Sequence, residues 1–231
     1  MTDNPRPFLE HLEELRSRII KSLAATAVCT AIAYNFTDPV IVFLSKPVGK
    51  FIFLHPTEAF FIRLKISLCL GALAAAPYIL FQIWKFVVAA LEPSSRNRIF
   101  WLLPISYFLF ITGFAFGLFV LVPVGVKFLL GYKSDVLSPL ISIGTYVNFV
   151  GGLCLVLGIV FQMPLVSFFI AKLGIIDAEW LSGKRRIAIL VIYILSALLT
   201  PGPDPVTAIL LAIPTYILYE LSVIACRMAR K

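Results

Sequence analysis

Carboxylates and guanidinium groups lie close together near the start of the chain, in the stretch FLEHLEELRSRII at positions 8–20. Carboxylates bind guanidinium groups through charge-assisted, often bidentate hydrogen bonds, so this acidic edge is suited to a basic ligand. Glu14 and Arg18 are four residues apart, which predicts an ion pair along one side of a helix. The stretch could instead anchor and orient the apolar run that follows it. That role leaves the glutamates unexplained, because acidic residues contribute little to membrane topology.

No other group of residues suggests catalysis or metal binding. The two histidines, His11 and His55, are far apart in the sequence, and the four cysteines lie in apolar runs without a CxxC pair. The sequence contains no Walker, HExxH, GxSxG or Rossmann glycine pattern. We therefore expect neither an enzyme nor a protein that binds a cofactor or a metal.

The composition is that of a membrane protein. Of the 231 residues 60% are hydrophobic and 14% are charged, and the mean hydropathy is +0.98. A bilayer core about 30 Å thick requires roughly 20 apolar residues in a helix. The sequence predicts one all-α integral-membrane domain over residues 1–231, with a cytoplasmic amphipathic helix at 1–18 and an outer cap at 37–60. Six spans are expected near 19–36, 66–91, 99–122, 149–171, 187–199 and 208–226.

The fifth apolar run is unusually short. It begins after the basic residues Lys184, Arg185 and Arg186 and ends before the turn-forming sequence TPGPDP. A run of this length is below what a bilayer of ordinary thickness requires. We expect that it either fails to cross fully or lies where the bilayer is thin.

The distribution of basic residues predicts the orientation. Most of the 20 lysines and arginines fall on one side if both termini are cytoplasmic, as the rule for positive residues requires. The net charge of +8 is mostly this topological signal. It does not indicate nucleic-acid binding, since no reader motif accompanies it. Prolines within the spans predict bent helices, and they are Pro77, Pro104, Pro123, Pro164 and Pro214.

Several blocks, in order along the chain, resemble the TatC family, the six-span core subunits of the twin-arginine protein translocase. They are HLEELRSRII, PTEAFFIRLKISL, PYILFQIWKFVVAAL, GFAFGLFVLVPVGVKFLL, GIVFQMPLVSFFIAKLGII and LLTPGPDPVTAILLAIPTYILYELSV. The resemblance implies a cupped bundle whose last two helices are short. It also implies a receptor that binds the twin-arginine signal peptides of folded precursors at the cytoplasmic face of a bacterial inner membrane.

The same resemblance implies partners and an energy source. Single-span TatA and TatB proteins, and further copies of this chain, would complete a complex that moves folded cargo with the protonmotive force. The family's signal-peptide residues correspond here to Glu14, Arg16 and Phe86. Structural positions correspond to Pro47 and Phe60 in the outer cap and to Asp204 after the fifth span.

Two positions depart from the family pattern. Many members carry a glutamate beside a basic residue in the loop between spans two and three, and this chain has Ser95 beside Arg96. Glu92, about one helical turn earlier, is a candidate substitute for the missing carboxylate. The fourth span has Gln162 where the family often has a glutamate. This amide could join helices or take part in transport, because a neutral amide is less costly to bury than an ionised carboxylate.

Glu220, near the inner end of the last span, is expected to pair with Arg227 or Lys184.

The alternatives to a translocase receptor are a secondary carrier for a small solute and a membrane scaffold without transport. A carrier requires a polar site at the middle of the membrane, and the span interiors offer little beyond Gln162, Asn148 and some hydroxyl groups.

Overall fold

The computed structural model describes residues 6–49, 51–52, 55–89, 99–131, 141–199 and 205–229. Helices account for most of these residues, and none of them forms a strand beyond one isolated bridge between Ile52 and Ser142. The all-α prediction is confirmed. Hydrocarbon cannot hydrogen-bond to backbone groups, and a helix satisfies those groups within one segment.

The helices follow the apolar runs, with some different ends. They are α1 (Arg6–Ala33), α2 (Thr37–Ser45), α3 (Glu58–Ala89), α4 (Ile99–Phe116), α5 (Val122–Leu130), α6 (Ile143–Val160), α7 (Met163–Lys172), α8 (Ala178–Gly183), α9 (Arg185–Leu199) and α10 (Pro205–Ala229). A 3₁₀ turn at Tyr34–Phe36 joins α1 to α2, so the first span continues into the segment predicted as the outer cap. That segment also holds turns and the bridge at Ile52, and α2 is its one helix among the described residues before α3.

Five helical segments are long and apolar enough to cross a membrane, and they are Leu12–Ser45, Glu58–Val87, Leu102–Phe128, Ile143–Lys172 and Ala208–Ala229. The remaining run, α9, has 15 residues, or about 22 Å at 1.5 Å per residue. The short fifth helix is therefore present. The expectation that the last helix is also short is not met, because α10 has 25 residues and reaches about 37 Å.

Prolines change the helices at two of the five predicted positions. Pro164 has no N–H to donate to the Val160 carbonyl, and the fourth span breaks into α6 and α7 at residues 161–162. A π-helical turn at Gly117–Leu121 precedes Pro123. Pro77, Pro104 and Pro214 lie within continuous helices.

Contacts divide the chain into two compact units. The first comprises Met1–Pro39 and Arg63–Tyr107, and the second comprises Val40–Ile62 and Phe108–Lys231. In the first unit α1 and α3 approach closely at Gly71. A Cβ atom at Gly71 would lie 2.3 Å from Thr30 Oγ1 and 2.6 Å from the Thr30 backbone, so only glycine fits there.

In the second unit two glycines four positions apart, Gly113 and Gly117, allow a similar close approach between helices. Cβ atoms at Gly113 and Gly117 would lie 2.7 Å from the Leu157 carbonyl oxygen and 2.9 Å from Leu157 Cδ1, respectively. Small residues at this spacing let membrane helices pack at short range. Further along the chain, α7 and α10 meet where the Cys226 thiol lies 3.3 Å from the Ser167 carbonyl oxygen.

We predict that Gly113→Ala destabilises the protein and that Gly152→Ala does not. The added methyl at Gly113 meets a backbone oxygen that cannot move aside, whereas nothing lies within 4 Å of the Cβ position at Gly152. Overpacking of this kind costs about 1–3 kcal/mol. Thermal unfolding of both variants in the same detergent checks the prediction, and equal melting temperatures would contradict the close contact.

Candidate functional site

The ion pair predicted from the spacing of the first helix is formed. An Arg18 Nη2–H group donates to Glu14 Oε1 across one turn of α1. The Arg18 side chain is 10% exposed and that of Glu14 is 38% exposed. A buried charge is costly unless it is paired. Glu14 partly neutralises Arg18 and remains within reach of solvent.

The same arginine links α1 to α3. Its Nη1–H group donates to Gln82 Oε1 at 3.2 Å, and the Gln82 Nε2–H group donates to the Tyr78 hydroxyl oxygen at 2.7 Å. Gln82 is buried and Tyr78 is exposed. These bonds make a chain of polar groups from Glu14 through Arg18 and Gln82 to Tyr78, which we call the arginine network.

Other predicted site residues lie near this network or away from it. Phe86 is half-buried and follows Gln82 by four residues, so it lies one turn further along the same side of α3. Arg16 is exposed, and two residues turn a helix by about 200°, so Arg16 is on the other side of α1 from Glu14. The structure pairs Glu14 with Arg18 rather than with Arg16. Glu92, Ser95, Arg96 and Asp204 lie outside the described residues.

A second carboxylate has a defined position in the second unit. Glu58 Oε1 accepts hydrogen bonds from Ser142 Oγ at 2.5 Å and from the Gly144 backbone N–H at 2.8 Å. Gly144 lies in the first turn of α6, so the carboxylate satisfies one of the N–H groups that a helix leaves unpaired at its start. The Ile143 N–H group also donates to the Ile52 carbonyl at 3.0 Å. Together these bonds tie the segment before α3 to the start of α6.

The predicted residues of the outer segment are at its surface. Pro47 is exposed in a turn after α2. Phe60, in the first turn of α3, is 58% exposed and stacks edge-on with Phe61 at 5.7 Å between ring centroids. Neither residue belongs to the described core.

The two intramembrane polar residues have different surroundings. Gln162 is half-buried at the break between α6 and α7, where its backbone carbonyl accepts a hydrogen bond from the Val166 N–H group at 2.9 Å.

Glu220 is held by the Arg185 side chain, whose Nε and Nη2 groups donate to its two carboxylate oxygens at 2.8 and 2.9 Å. Tyr216 OH donates to the same carboxylate at 2.9 Å. The ion pair is therefore with Arg185, the residue that follows the expected Lys184, and the other expected residue, Arg227, interacts with this carboxylate through its charge.

Gln82 and Glu58 were not predicted as site residues. Gln82 is a single amide in an apolar run, and a polar residue inside a membrane span is a signal of function that could have singled it out. Glu58 precedes its apolar run and has no such signal. Among the described residues, no three His, Cys, Asp or Glu side chains group so as to hold a metal.

The helices define a multi-pass α-helical membrane protein with an ion pair between Glu14 and Arg18 near the start of its first span. The chain belongs to the TatC family of Sec-independent protein translocase proteins, whose family model matches residues 10–214. It is a component of that translocase and not an enzyme.

Individual relatives agree with this assignment. The chain is 41% identical to the Sec-independent protein translocase protein TatC of Carboxydothermus hydrogenoformans, over 100% of this chain and 96% of that protein. It is 36% identical to TatC of Aquifex aeolicus, over 97% of this chain and 96% of that protein. A crystal structure described as the twin arginine translocase receptor TatC has a TM-score of 0.88 and 36% identity, covering 96% of this chain and 100% of the other.

We predict that Glu58→Ala destabilises the protein more than Glu58→Gln. The alanine leaves the Gly144 N–H and the Ser142 hydroxyl without their acceptor, at a cost of about 1.5–3 kcal/mol for a hydrogen bond to a charged group. The glutamine keeps an acceptor oxygen at the same place. Thermal unfolding in detergent checks the order, and an Ala variant as stable as the Gln variant would contradict it.

Proposed function

We propose that this chain is the receptor of the twin-arginine translocase, which binds the signal peptides of folded precursors at the cytoplasmic face. The observation that carries the proposal is Glu14, a carboxylate partly open to solvent that already binds a guanidinium group. A twin-arginine peptide presents the same chemical group. Two related crystal structures, both 36% identical to this chain, are described as twin arginine translocase receptors.

Glu14 would bind one signal arginine through a charge-assisted hydrogen bond. Such bonds contribute about 1.5–3 kcal/mol each. Arginine is favoured over lysine because its planar guanidinium can donate two parallel hydrogen bonds to a carboxylate. Phe86, near the same end of α3, would add apolar or stacking contact to the peptide. Arg16, exposed on the other side of α1, would contact a different part of the peptide.

The second arginine would need a second carboxylate. We assign this role to Glu92, because Ser95 stands where many family members have glutamate. Arg96, the basic neighbour of that position, would then lie beside the peptide as well. Without Glu92, the site would hold one of the two arginines by hydroxyl groups or by water alone.

The proposed location is the inner membrane of a bacterium, with both termini in the cytoplasm. The excess of lysine and arginine on that side supports this orientation. In this orientation the arginine network would lie at the cytoplasmic ends of the first span and of α3. The same orientation would place Glu58, at the opposite end of α3, on the outer side.

The proposed partners are single-span TatA and TatB proteins and further copies of this chain, with transport driven by the protonmotive force. Most large apolar side chains of α9 are exposed, among them Ile187, Leu190, Leu195 and Leu198. Such a surface requires lipid or another apolar helix. Because α9 has 15 residues, the bilayer beside it would be thin.

The remaining polar residues receive structural roles in this proposal. Gln162 lies at the break that Pro164 causes, where an amide can serve backbone groups that leave the helical pattern. Pro47, Phe60 and Asp204 would shape the outer surface. Glu220 and Arg185 would fix α10 against the start of α9.

We predict that the purified chain binds a twin-arginine signal peptide and discriminates against a twin-lysine version. Glu14→Ala should lower the affinity for the arginine peptide by about tenfold or more, since it removes a hydrogen bond to a charged group. Glu92→Ala should cause a parallel loss. Fluorescence anisotropy with the protein in nanodiscs provides the measurement.

Equal affinity for both peptides, unchanged in either variant, would overturn the receptor proposal. The carrier alternative makes a different prediction, because it requires uptake of a small solute by liposomes that contain this chain alone. A protein that binds the arginine peptide and shows no such uptake fits the receptor proposal.

A further inference from the structure

In the ligand-free protein, the proposed binding carboxylate, Glu14, is already part of the arginine network. The carboxylate proposed to receive a signal arginine is already bonded to an arginine of its own helix. An incoming guanidinium must therefore share Glu14 with Arg18 or displace it. Either event depends on how firmly Arg18 is held.

Arg18 is held incompletely. Among the described residues, its terminal nitrogens Nη2 and Nη1 donate to Glu14 and, at 3.2 Å, to Gln82, respectively. Its Nε–H group is buried and has no hydrogen-bond partner in the described part of the chain. An unpaired buried donor is unfavourable, so this arrangement is not the best one available to a guanidinium. The Arg18 side chain can therefore rotate away from Glu14 without breaking up a fully hydrogen-bonded guanidinium group.

Arg18 also has a second hydrogen-bond acceptor, the side chain of Gln82. Gln82 presents its amide oxygen to Arg18 because its amide nitrogen is committed to the Tyr78 hydroxyl at 2.7 Å. If Glu14 turns to a ligand, Arg18 keeps its hydrogen bond to the neutral Gln82 amide between α1 and α3. The guanidinium then gives up its ion pair but keeps a polar contact, which costs less than burial with no polar contact.

We propose that Arg18 masks Glu14 as an internal guanidinium, and that a twin-arginine ligand displaces it while Gln82 retains it. This inference rests on the proposed function and adds the residue that sets the affinity threshold. Exchange of one guanidinium for another restores the same kind of hydrogen bond at Glu14. A weakly binding cationic segment cannot displace Arg18 at the same concentration, so the mask excludes such segments.

Removal of the Arg18 guanidinium should increase the affinity for signal peptides. In Arg18→Gln, Glu14 loses its ion pair with the Arg18 guanidinium, and affinity for the twin-arginine peptide should rise about fivefold to tenfold. The twin-lysine peptide should gain as well and should become measurable at concentrations where the wild type does not bind it. A role limited to positioning Glu14 predicts the opposite sign, a loss of affinity for both peptides.

A second variant keeps Arg18 in place. Gln82→Glu places a carboxylate where the Gln82 amide now accepts a hydrogen bond from Arg18. Arg18 should then pair with this carboxylate and leave Glu14, so the affinity for the twin-arginine peptide should again rise. The matched control is Arg63→Gln, which removes a cation from an ion pair with Asp38 at 2.9 Å in the same unit. Arg63 precedes Gln82 by 19 positions in α3, or about 28 Å. Its variant should bind both peptides as the wild type does.

The experiment is peptide binding to the full chain in nanodiscs for the wild type and these three variants, each with its melting temperature. Higher affinity in Arg18→Gln and Gln82→Glu supports the mask. Unchanged or lower affinity in both, with the wild type still preferring the arginine peptide, overturns the mask and leaves the receptor proposal standing. No preference in the wild type overturns the receptor proposal and the mask with it.

Discussion

Hydrocarbon supplies no hydrogen bonds, and this constraint determines where the protein can place polar groups. Backbone groups are satisfied within helices, and the fourth span leaves that pattern at residues 161–162, where Pro164 removes a donor. Charged side chains that lie between helices must find partners there. Arg18 does so with Glu14 and Gln82, and Glu58 does so with Ser142 and Gly144.

These polar contacts lie near the ends of the candidate spans and are complemented by close helix packing between them. Gly71 allows α1 and α3 to touch, and Gly113 allows α4 to touch α6. Small residues give the helices short-range packing where lipid provides no hydrophobic driving force. The contact at Gly71 holds α1 and α3 together at a distance from the arginine network, so the proposed exchange of guanidinium groups at Glu14 does not require the two helices to separate.

Local patterns in the sequence predicted the helices and one ion pair. Apolar runs and bilayer thickness gave the candidate spans, and the spacing of Glu14 and Arg18 gave their contact. Contacts between distant segments could not be predicted in this way. Arg18 and Gln82 are 64 positions apart, and Gly144 and Glu58 are 86 positions apart, so helix periodicity does not relate them.

The partner of Glu220 illustrates the same limit at shorter range. Three basic residues in succession, Lys184 to Arg186, begin the fifth apolar run, and composition cannot distinguish among them. The start of α9 at Arg185 and the packing of α9 on α10 decide which one reaches the carboxylate. Resemblance to the TatC family supplied the remaining site assignments, and it did not identify Gln82 or Glu58.

We propose that Glu14 of the arginine network binds one arginine of the signal peptide's arginine pair. The most direct test is photocrosslinking of a signal peptide that carries a benzophenone residue next to its arginine pair, with the crosslinked sites mapped by mass spectrometry. We expect arginine-dependent crosslinks to residues of α1 around Glu14 and of α3 around Gln82. Crosslinks confined to other helices, or equally abundant with a twin-lysine peptide, would contradict it.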